Sequence, residues 1–233
     1  MKNIMILSGA GLSAPSGLKT FRDNDGLWEQ YDVMEVCSAT GFRKNPKKVL
    51  QFYDKRREQL KNITPNYAHE KIAKLKDKWG ENLFVITQNV DDLLERAGCK
   101  EVIHLHGYLP ELRCLECNAI FNIAYEKIEG KICPKCQSYN LRHNIVMFEE
   151  QAPFYAKLYS LLEQTSLFIS IGTSGAVLPV GHYARMCEKS ILNIYEKNTQ
   201  LEKYFDKIYI EDILTAIDKI ALDIEKFMKD GDV

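Results

Sequence analysis

Three short apolar runs, Asn3–Leu7, Leu83–Thr87 and Leu167–Ile171, each stop at polar or glycine residues: Ser8-Gly9, Gln88-Asn89 and Gly172-Thr173. Runs that stay apolar at consecutive positions are buried on both faces, the signature of central strands in a parallel sheet covered by helices. Val102–Leu105 and Ser190–Ile194 predict two further strands. Ligands of such sheets bind beyond the carboxyl ends of the strands, so the three polar ends are expected to share one crevice.

Between the strands the pattern turns helical. Pro46 opens a helix over Lys47–Leu60 with Val49, Leu50, Tyr53 and Leu60 inward, and Pro65–Lys78 follows with Ala68, Ile72 and Leu75. Glu211–Lys229 repeats Ile213, Ile217, Ile220, Ile224 and Phe227 at three-to-four spacing, a stripe that packs on a core. The alternation predicts an α/β fold with a Rossmann-like parallel sheet domain formed by 1–30, 80–107 and 143–233. A helical insertion (31–79) and a cysteine-bearing insertion (108–142) are expected to form a smaller domain.

Composition narrows the function. Lys+Arg 31 against Asp+Glu 32 in 233 residues gives a net charge of -1, without the field that draws a protein to nucleic acid. The run Ile4–Leu7 is too short for a signal-peptide core, and nothing approaches the ~20 apolar residues of a membrane span. The expectation is a cytoplasmic monomer with no membrane partner and no specific nucleic-acid partner. In a reducing compartment paired cysteines more often bind metal than each other.

Cys114-x2-Cys117 and Cys133-x2-Cys136, separated by 15 residues, have the spacing of a zinc site. Four thiolates close a tetrahedral shell with no open position, so one structural zinc ion is expected. Two disulfides or buried free thiols are the alternatives. Cys37, Cys99 and Cys187 have no partner spacing and read as core thiols.

Gly9-Ala10-Gly11-Leu12-Ser13-Ala14 fits the turn that lets backbone N–H groups approach a pyrophosphate. The acidic residue that follows about 20 residues later in hydride-transfer dehydrogenases is missing, which disfavours that chemistry. "TQNVDD" after the second strand supplies Gln88, Asn89 and Asp91, groups suited to ribose hydroxyls and a carboxamide. His104 and His106 come shortly after, and a histidine is the natural general base near neutral pH. A structural imidazole, or a metal site for the pair, are the competing readings.

"GAGLSAPSGLKTFRD", "TQNVDD", "HLHG", the four-cysteine knot and "IGTSGAVLP" occur in the order found in sirtuins, the NAD-dependent protein deacylases, which the chain resembles over roughly residues 4–200. The resemblance implies that Gly9, Ala10, Gly11 and Ser13 cradle the phosphates of NAD, a cofactor consumed as co-substrate. Phe21 would shield the reacting ribose carbon and Arg22 would contact the phosphate or ribose side. Gln88, Asn89 and Asp91 would line the nicotinamide and ribose pocket, Gly172, Thr173 and Ser174 the adenosine ribose and phosphate, and Asn193 the adenosine end. His106, with Asn89, would be catalytic, and His104 structural. In the implied reaction an acyl-lysine oxygen of a protein substrate attacks the ribose carbon and expels nicotinamide. His106 then deprotonates a ribose hydroxyl, giving free lysine and O-acyl-ADP-ribose. Mono-ADP-ribosyl transfer from the same pocket is the alternative activity.

Tyr53 and Arg56 stand at i and i+3 and so share one helix face. The pair resembles the Tyr-x-x-Arg signature of the desuccinylating and demalonylating branch, with acetyl-lysine activity retained. A solvated basic face is the alternative, since Lys55 and Arg57 flank Arg56. Val146 and Phe148 lie on the segment that would bind substrate, and Ile145–Phe148 is expected to pair with its backbone. Departures from the family pattern are Lys19, Leu94, His143 and Glu149, the last where a glycine is usual.

Overall fold

A computed structural model describes residues 2–18 and 32–233 of the chain. Among the described residues the strands are, in chain order, β1 (Ile4–Ser8), β2 (Leu83–Thr87), β3 (Ile103–His104), β4 (Gly107–Cys114), β5 (Ile120–Asn122), β6 (Leu141–Ile145), β7 (Leu167–Ile171), β8 (Lys189–Ile194) and β9 (Lys207–Ile210). The α-helices are α1 (Val33–Cys37), α2 (Ala39–Lys44), α3 (Pro46–Lys61), α4 (Tyr67–Trp79), α5 (Leu93–Arg96), α6 (Tyr155–Leu162), α7 (Val180–Met186), α8 (Thr199–Glu202) and α9 (Ile213–Asp230). No helix among these residues is long and apolar enough to cross a membrane.

Six strands form a sheet in the order β3-β2-β1-β7-β8-β9 in which every pairing is parallel. Every residue of β1 and β7 is buried, as consecutive apolar positions demand. The strand period of two sends Ile4 and Ile6 to one face and Met5 and Leu7 to the other. On the first face they meet α4 and α9 through Ile72, Ile217, Ile220 and Ile224. On the second they meet α6 and α7 through Leu158, Leu162, Val180 and Tyr183. The topology reverses direction between β1 and β7, where a doubly wound sheet opens its ligand crevice.

Local chemistry ends the helices where the sequence says. Asn45 accepts from the Lys48 amide with Pro46 at the first turn of α3, and Asp212 accepts from the Leu214 amide to start α9. Gly231, at φ 83°, closes α9 in the left-handed region.

Two sequence expectations change. The 31–79 insertion was expected to include the helix now seen as α4, but α4 packs on the sheet face with α9, so the insertion proper is α1–α3. An amphipathic pattern announces a buried face without saying what it is buried against. The edge strand β9 was not foreseen; its Lys207–Ile210 sequence is only half-buried and lacks the continuous apolar run of the centre.

The smaller domain joins α1–α3 to the antiparallel sheet β5-β4-β6 around Val36, Phe52, Tyr53, Leu109, Ile145 and Met147. Arg57 rivets the two parts and is wholly buried. Its Nε donates to the Leu109 carbonyl at 2.8 Å, Nη1 to Glu126 at 2.9 Å and Nη2 to Glu111 at 3.3 Å. Asp54 lies 3.6 Å from Nη1, and also accepts from His143 Nε2 at 3.0 Å. Burial lowers the Arg57 pKa to about 10, opposed by Asp54, and the guanidinium stays charged.

Replacing Arg57 by Leu removes three charged hydrogen bonds and strands their carbonyls, with an expected cost of about 3–5 kcal/mol. Arg57→Lys should recover only part, because an ammonium cannot span the same fork. Urea unfolding of the variants checks this, and a midpoint unchanged in Arg57→Leu would contradict it.

Candidate active site

The crevice is floored by two loops in backbone contact. The Gly9 amide donates to the Ile171 carbonyl and the Gly11 amide to Gly172, each at 2.9 Å. A Cβ on Gly9 would lie 2.8 Å from Thr173 Cβ, and one on Gly11 2.6 Å from Gly172 Cα. These glycines therefore permit close approach of the β1 and β7 loops, and their two amides serve protein carbonyls. That corrects the reading of those N–H groups as phosphate donors. Gly172 itself takes φ 60°, and its amide bonds to the Asn193 carbonyl.

Above this floor Ser13 is the hub of a polar cluster. Its hydroxyl donates to Asp91 Oδ2 at 3.0 Å and accepts from Asn89 Nδ2 at 3.1 Å. Asn89 Nδ2 also reaches the Gly9 carbonyl at 3.1 Å, and the Asn89 amide donates to Thr87 Oγ1. Gln88 Nε2 donates to Thr173 Oγ1 at 3.1 Å and bridges the ends of β2 and β7. Burial raises the Asp91 pKa, with the Leu93 amide and Ser13 hydroxyl opposing the shift.

His69 was missed from sequence. It is buried on α4, where its Nδ1 accepts from the Asn66 amide at 3.2 Å, closing a capping box. The Nε2–H then points to Ser13 Oγ at 3.3 Å. Desolvation lowers its pKa to about 4, so the ring is neutral. Asn66-x-x-His69 at a helix start was the available signal.

The two strand-end histidines occupy opposite environments. His104 Nδ1 lies 2.9 Å from the Asn89 carbonyl and Nε2 2.7 Å from Glu95 Oε1. Both partners are acceptors, so both nitrogens donate and the ring is an imidazolium. Burial opposes the charge, but the Glu95 hydrogen bond and carboxylate outweigh it and raise the pKa. His106 has no such carboxylate. Desolvation lowers its pKa against a backbone hydrogen bond to Gln88, and its Nε2 lies 3.2 Å from the Tyr155 hydroxyl.

Asn193 stands at the carboxyl end of β8 with its side-chain amide nitrogen committed to its neighbours. It is buried, and its Nδ2 donates to the Tyr209 and Glu211 carbonyls at 3.2 and 2.9 Å, tying β8 to β9. Ser174 Oγ accepts from the Ala176 amide at 3.4 Å in the loop after β7. Phe21 and Arg22 lie outside the described residues.

The four cysteines meet as the spacing requires. Cys114 Sγ is 3.5 Å from Cys136 Sγ and Cys117 Sγ 3.6 Å from Cys133 Sγ, with all four sulfurs within 4.8 Å of one another. A tetrahedron with Zn–S of ~2.3 Å needs sulfurs ~3.8 Å apart, so the set fits zinc.

Residues 9–179 match the model of the Sir2 family. A Campylobacter jejuni (strain RM1221) protein named NAD-dependent protein deacylase is 84% identical over the full length of both chains. The chain belongs to the Sir2 family. A solved Sir2 homologue–NAD complex is 34% identical with TM-score 0.85, covering 98% of this chain and 91% of that one. A Sir2 complex with an inhibitor, 2'-O-acetyl-ADP-ribose and deacetylated p53 peptide is 28% identical with TM-score 0.76, covering 96% and 94%.

In this Sir2-family chain the segment expected to pair with substrate is already well bonded. The Val146 amide donates to the His106 carbonyl at 2.9 Å, Phe148 to Cys37 at 2.8 Å and Met147 to Glu150 Oε2 at 2.9 Å. Its amide donors are thus committed inside the protein, which removes them from the expected pairing. Ile145 and Met147 face the small-domain core, while Phe148 is exposed. Glu149, at φ 73°, replaces a flexible glycine with an anchor: its Oε2 accepts from the Thr40 amide at 2.9 Å and hydroxyl at 2.7 Å.

Tyr53 is buried and its hydroxyl donates to Cys37 Sγ at 3.4 Å. Arg56 is half-buried; desolvation lowers its pKa, opposed by Tyr53, Cys37 and Asp91. The guanidinium therefore lies within electrostatic reach of the crevice carboxylate, unlike the exposed Lys55 and the structural Arg57.

Two outcomes follow from this geometry. The purified chain should carry about one zinc per molecule, and its chelation should lower the Tm because metal binding and folding of the cysteine segment are one equilibrium. Metal analysis with thermal unfolding checks this, and a Tm indifferent to chelation would oppose it. Because the folded pKa of His104 lies above its unfolded ~6.5, its contribution is complete below that pH and lost as pH rises through the folded value. Glu95→Gln should therefore destabilise at pH 6 and converge on the wild type in alkali. Denaturation across pH tests the sign.

Proposed function

We propose that the chain is an NAD-dependent protein-lysine deacylase that removes succinyl and malonyl groups, and acetyl groups as well, releasing nicotinamide, free lysine and O-acyl-ADP-ribose. The observation that carries the acyl assignment is the half-buried Arg56 guanidinium, which shares its surroundings with the buried Tyr53 and feels the charge of Asp91. A desolvated cation gains most from a carboxylate that arrives with the substrate, and arginine's planar fork receives it bidentately. Tyr53, one helical turn before Arg56, would reach that carboxylate by turning its hydroxyl from the Cys37 sulfur it meets in the free protein.

NAD, when bound, supplies the electrophilic ribose carbon and the ribose hydroxyls. Gly9, Ala10, Gly11 and Ser13 form the wall at its phosphates, and Phe21 and Arg22 are proposed as further cofactor contacts on the strength of the family resemblance. Gly172, Thr173 and Ser174 line the adenosine side, with Asn193 at the adenosine end, its carbonyl holding the Gly172 amide. Gln88, Asn89 and Asp91 orient the ribose and carboxamide. Their side chains are prepositioned by Thr173 and Ser13, so little ordering remains for binding to drive.

His106 is the general base. Its low pKa keeps it neutral near pH 7, so Nε2 can accept the proton of a ribose hydroxyl. Val146 and Phe148 flank the peptide, whose acyl-lysine enters between the two domains. The relatives' name, NAD-dependent protein deacylase, favours deacylation over ADP-ribosyl transfer. The reading places a monomeric enzyme in the cytoplasm acting on acylated proteins, with zinc confined to a structural role.

The test is kcat/KM for matched acetyl-, succinyl- and malonyl-lysine peptides on wild type and Arg56→Met. Loss of a charged bidentate contact should cost the acidic acyl substrates about 10–100-fold while acetyl changes less than about threefold. An acetyl preference in both proteins would retain the deacylase and remove the acidic pocket.

A further inference from the structure

Tyr155 opens α6 at 49 residues from His106 in sequence, yet its hydroxyl is 3.2 Å from His106 Nε2 and the rings are 6.3 Å apart. The direction of that bond follows from the rest of the ring. His106 also makes a backbone hydrogen bond at Gln88 that favours its protonated form, as donation to a carbonyl does. A neutral imidazole that donates through one nitrogen carries its lone pair on the other. Nε2 is then the acceptor and the phenol the donor. Burial raises the Tyr155 pKa, so the phenol keeps its proton at any working pH.

We propose that Tyr155 is a positioning residue for the base: its hydroxyl caps the Nε2 lone pair of His106 in the free enzyme and holds the ring aimed into the crevice. This rests on the reading of His106 as the base. The anchor is stiff because Tyr155 stands one turn before Leu158, which is fully buried against Leu105, the residue preceding His106. The Tyr155 ring packs against that same cluster. His106 itself lies in the short turn between β3 and β4, which is held by the Leu105 amide donating to the Thr87 carbonyl and the His106 carbonyl accepting from the Val146 amide, each at 2.9 Å, so this pinned turn and the helix α6 set the spacing between phenol and imidazole.

Electrostatics leave this contact unrivalled among the described residues. From the β2 end His106 meets the Gln88 main chain, and from α6 it meets Tyr155; no carboxylate or cation contributes to its shift. His104, two residues earlier, turns to Glu95. A phenol that donates to the neutral ring favours the neutral form and keeps the lone pair available. When a ribose hydroxyl arrives it takes over as the donor to Nε2, and the phenol yields.

The test compares wild type, Tyr155→Phe and His106→Asn for deacylation across pH and for exchange of labelled nicotinamide into NAD. In Tyr155→Phe the acid limb of kcat/KM should move up by about half to one pH unit, the worth of one hydrogen bond to the neutral base. Nicotinamide exchange, which precedes the base step, should stay within about twofold. His106→Asn should lose deacylation and keep exchange; full deacylation in that variant would overturn the base itself. An acid limb and kcat unmoved in Tyr155→Phe, with His106→Asn inactive, would overturn the positioning role alone. Side-chain ¹⁵N NMR of wild type gives a reading that needs no variant to fold. An Nδ1–H tautomer with Nε2 accepting is expected, and an Nε2–H tautomer would overturn the proposal.

Discussion

Gly11 and Gly172 meet backbone to backbone at the ends of β1 and β7, so closely that any side chain on either would strike the other's main chain. The parallel register of β1 with both β2 and β7 makes that meeting possible, because Ser8 is level with Thr87 and Ile171. Three strand ends at one height give one crevice, and the glycine contact gives it a rigid floor. Every polar residue of the site is measured from that floor. Asn89 reaches the Gly9 carbonyl, Gln88 reaches Thr173, and Ser13 sits two residues beyond Gly11. Side chains fixed in this way meet a ligand without first losing rotamer freedom, which is the physical content of preorganisation.

The same geometry separates two histidines that sequence places two residues apart. His104 finds two acceptors and becomes a cation; His106 finds a phenol and a backbone group and stays neutral. Nothing in His-x-His distinguishes them, since the deciding groups, Glu95 and Tyr155, come from separate helices. Different roles could be expected of them only through the family resemblance. His69 was hidden for the same reason: a histidine inside an amphipathic helix looks like core until Ser13, 56 residues away, is seen beside it.

What was legible obeyed local rules. Leu83–Thr87 and Leu167–Ile171 fall where the apolar runs place them, because a strand buried on both faces is apolar at nearly every position. The four cysteines meet because metal chemistry fixes their spacing. What failed required knowledge of a partner. The face of α4 could have packed on a small domain or on the sheet. The amide donors of Val146 and Phe148 are taken by His106 and Cys37, residues far away along the chain.

Arg56 and Arg57 state the distinction most sharply. They are adjacent, equally basic, and turned about 100° apart by the helix. Arg57 enters the small-domain core and meets three carbonyls and Asp54, which fully satisfies its fork. Arg56 turns toward Tyr53 and Asp91, on the crevice side of the same helix. A substrate carboxylate bound by Arg56 would therefore sit one residue from the rivet that joins α3 to the cysteine-bearing sheet. On the proposed acyl-pocket reading, the module that the four cysteines close fixes the helix carrying Arg56, which would give a metal remote from the chemistry a mechanical part in specificity.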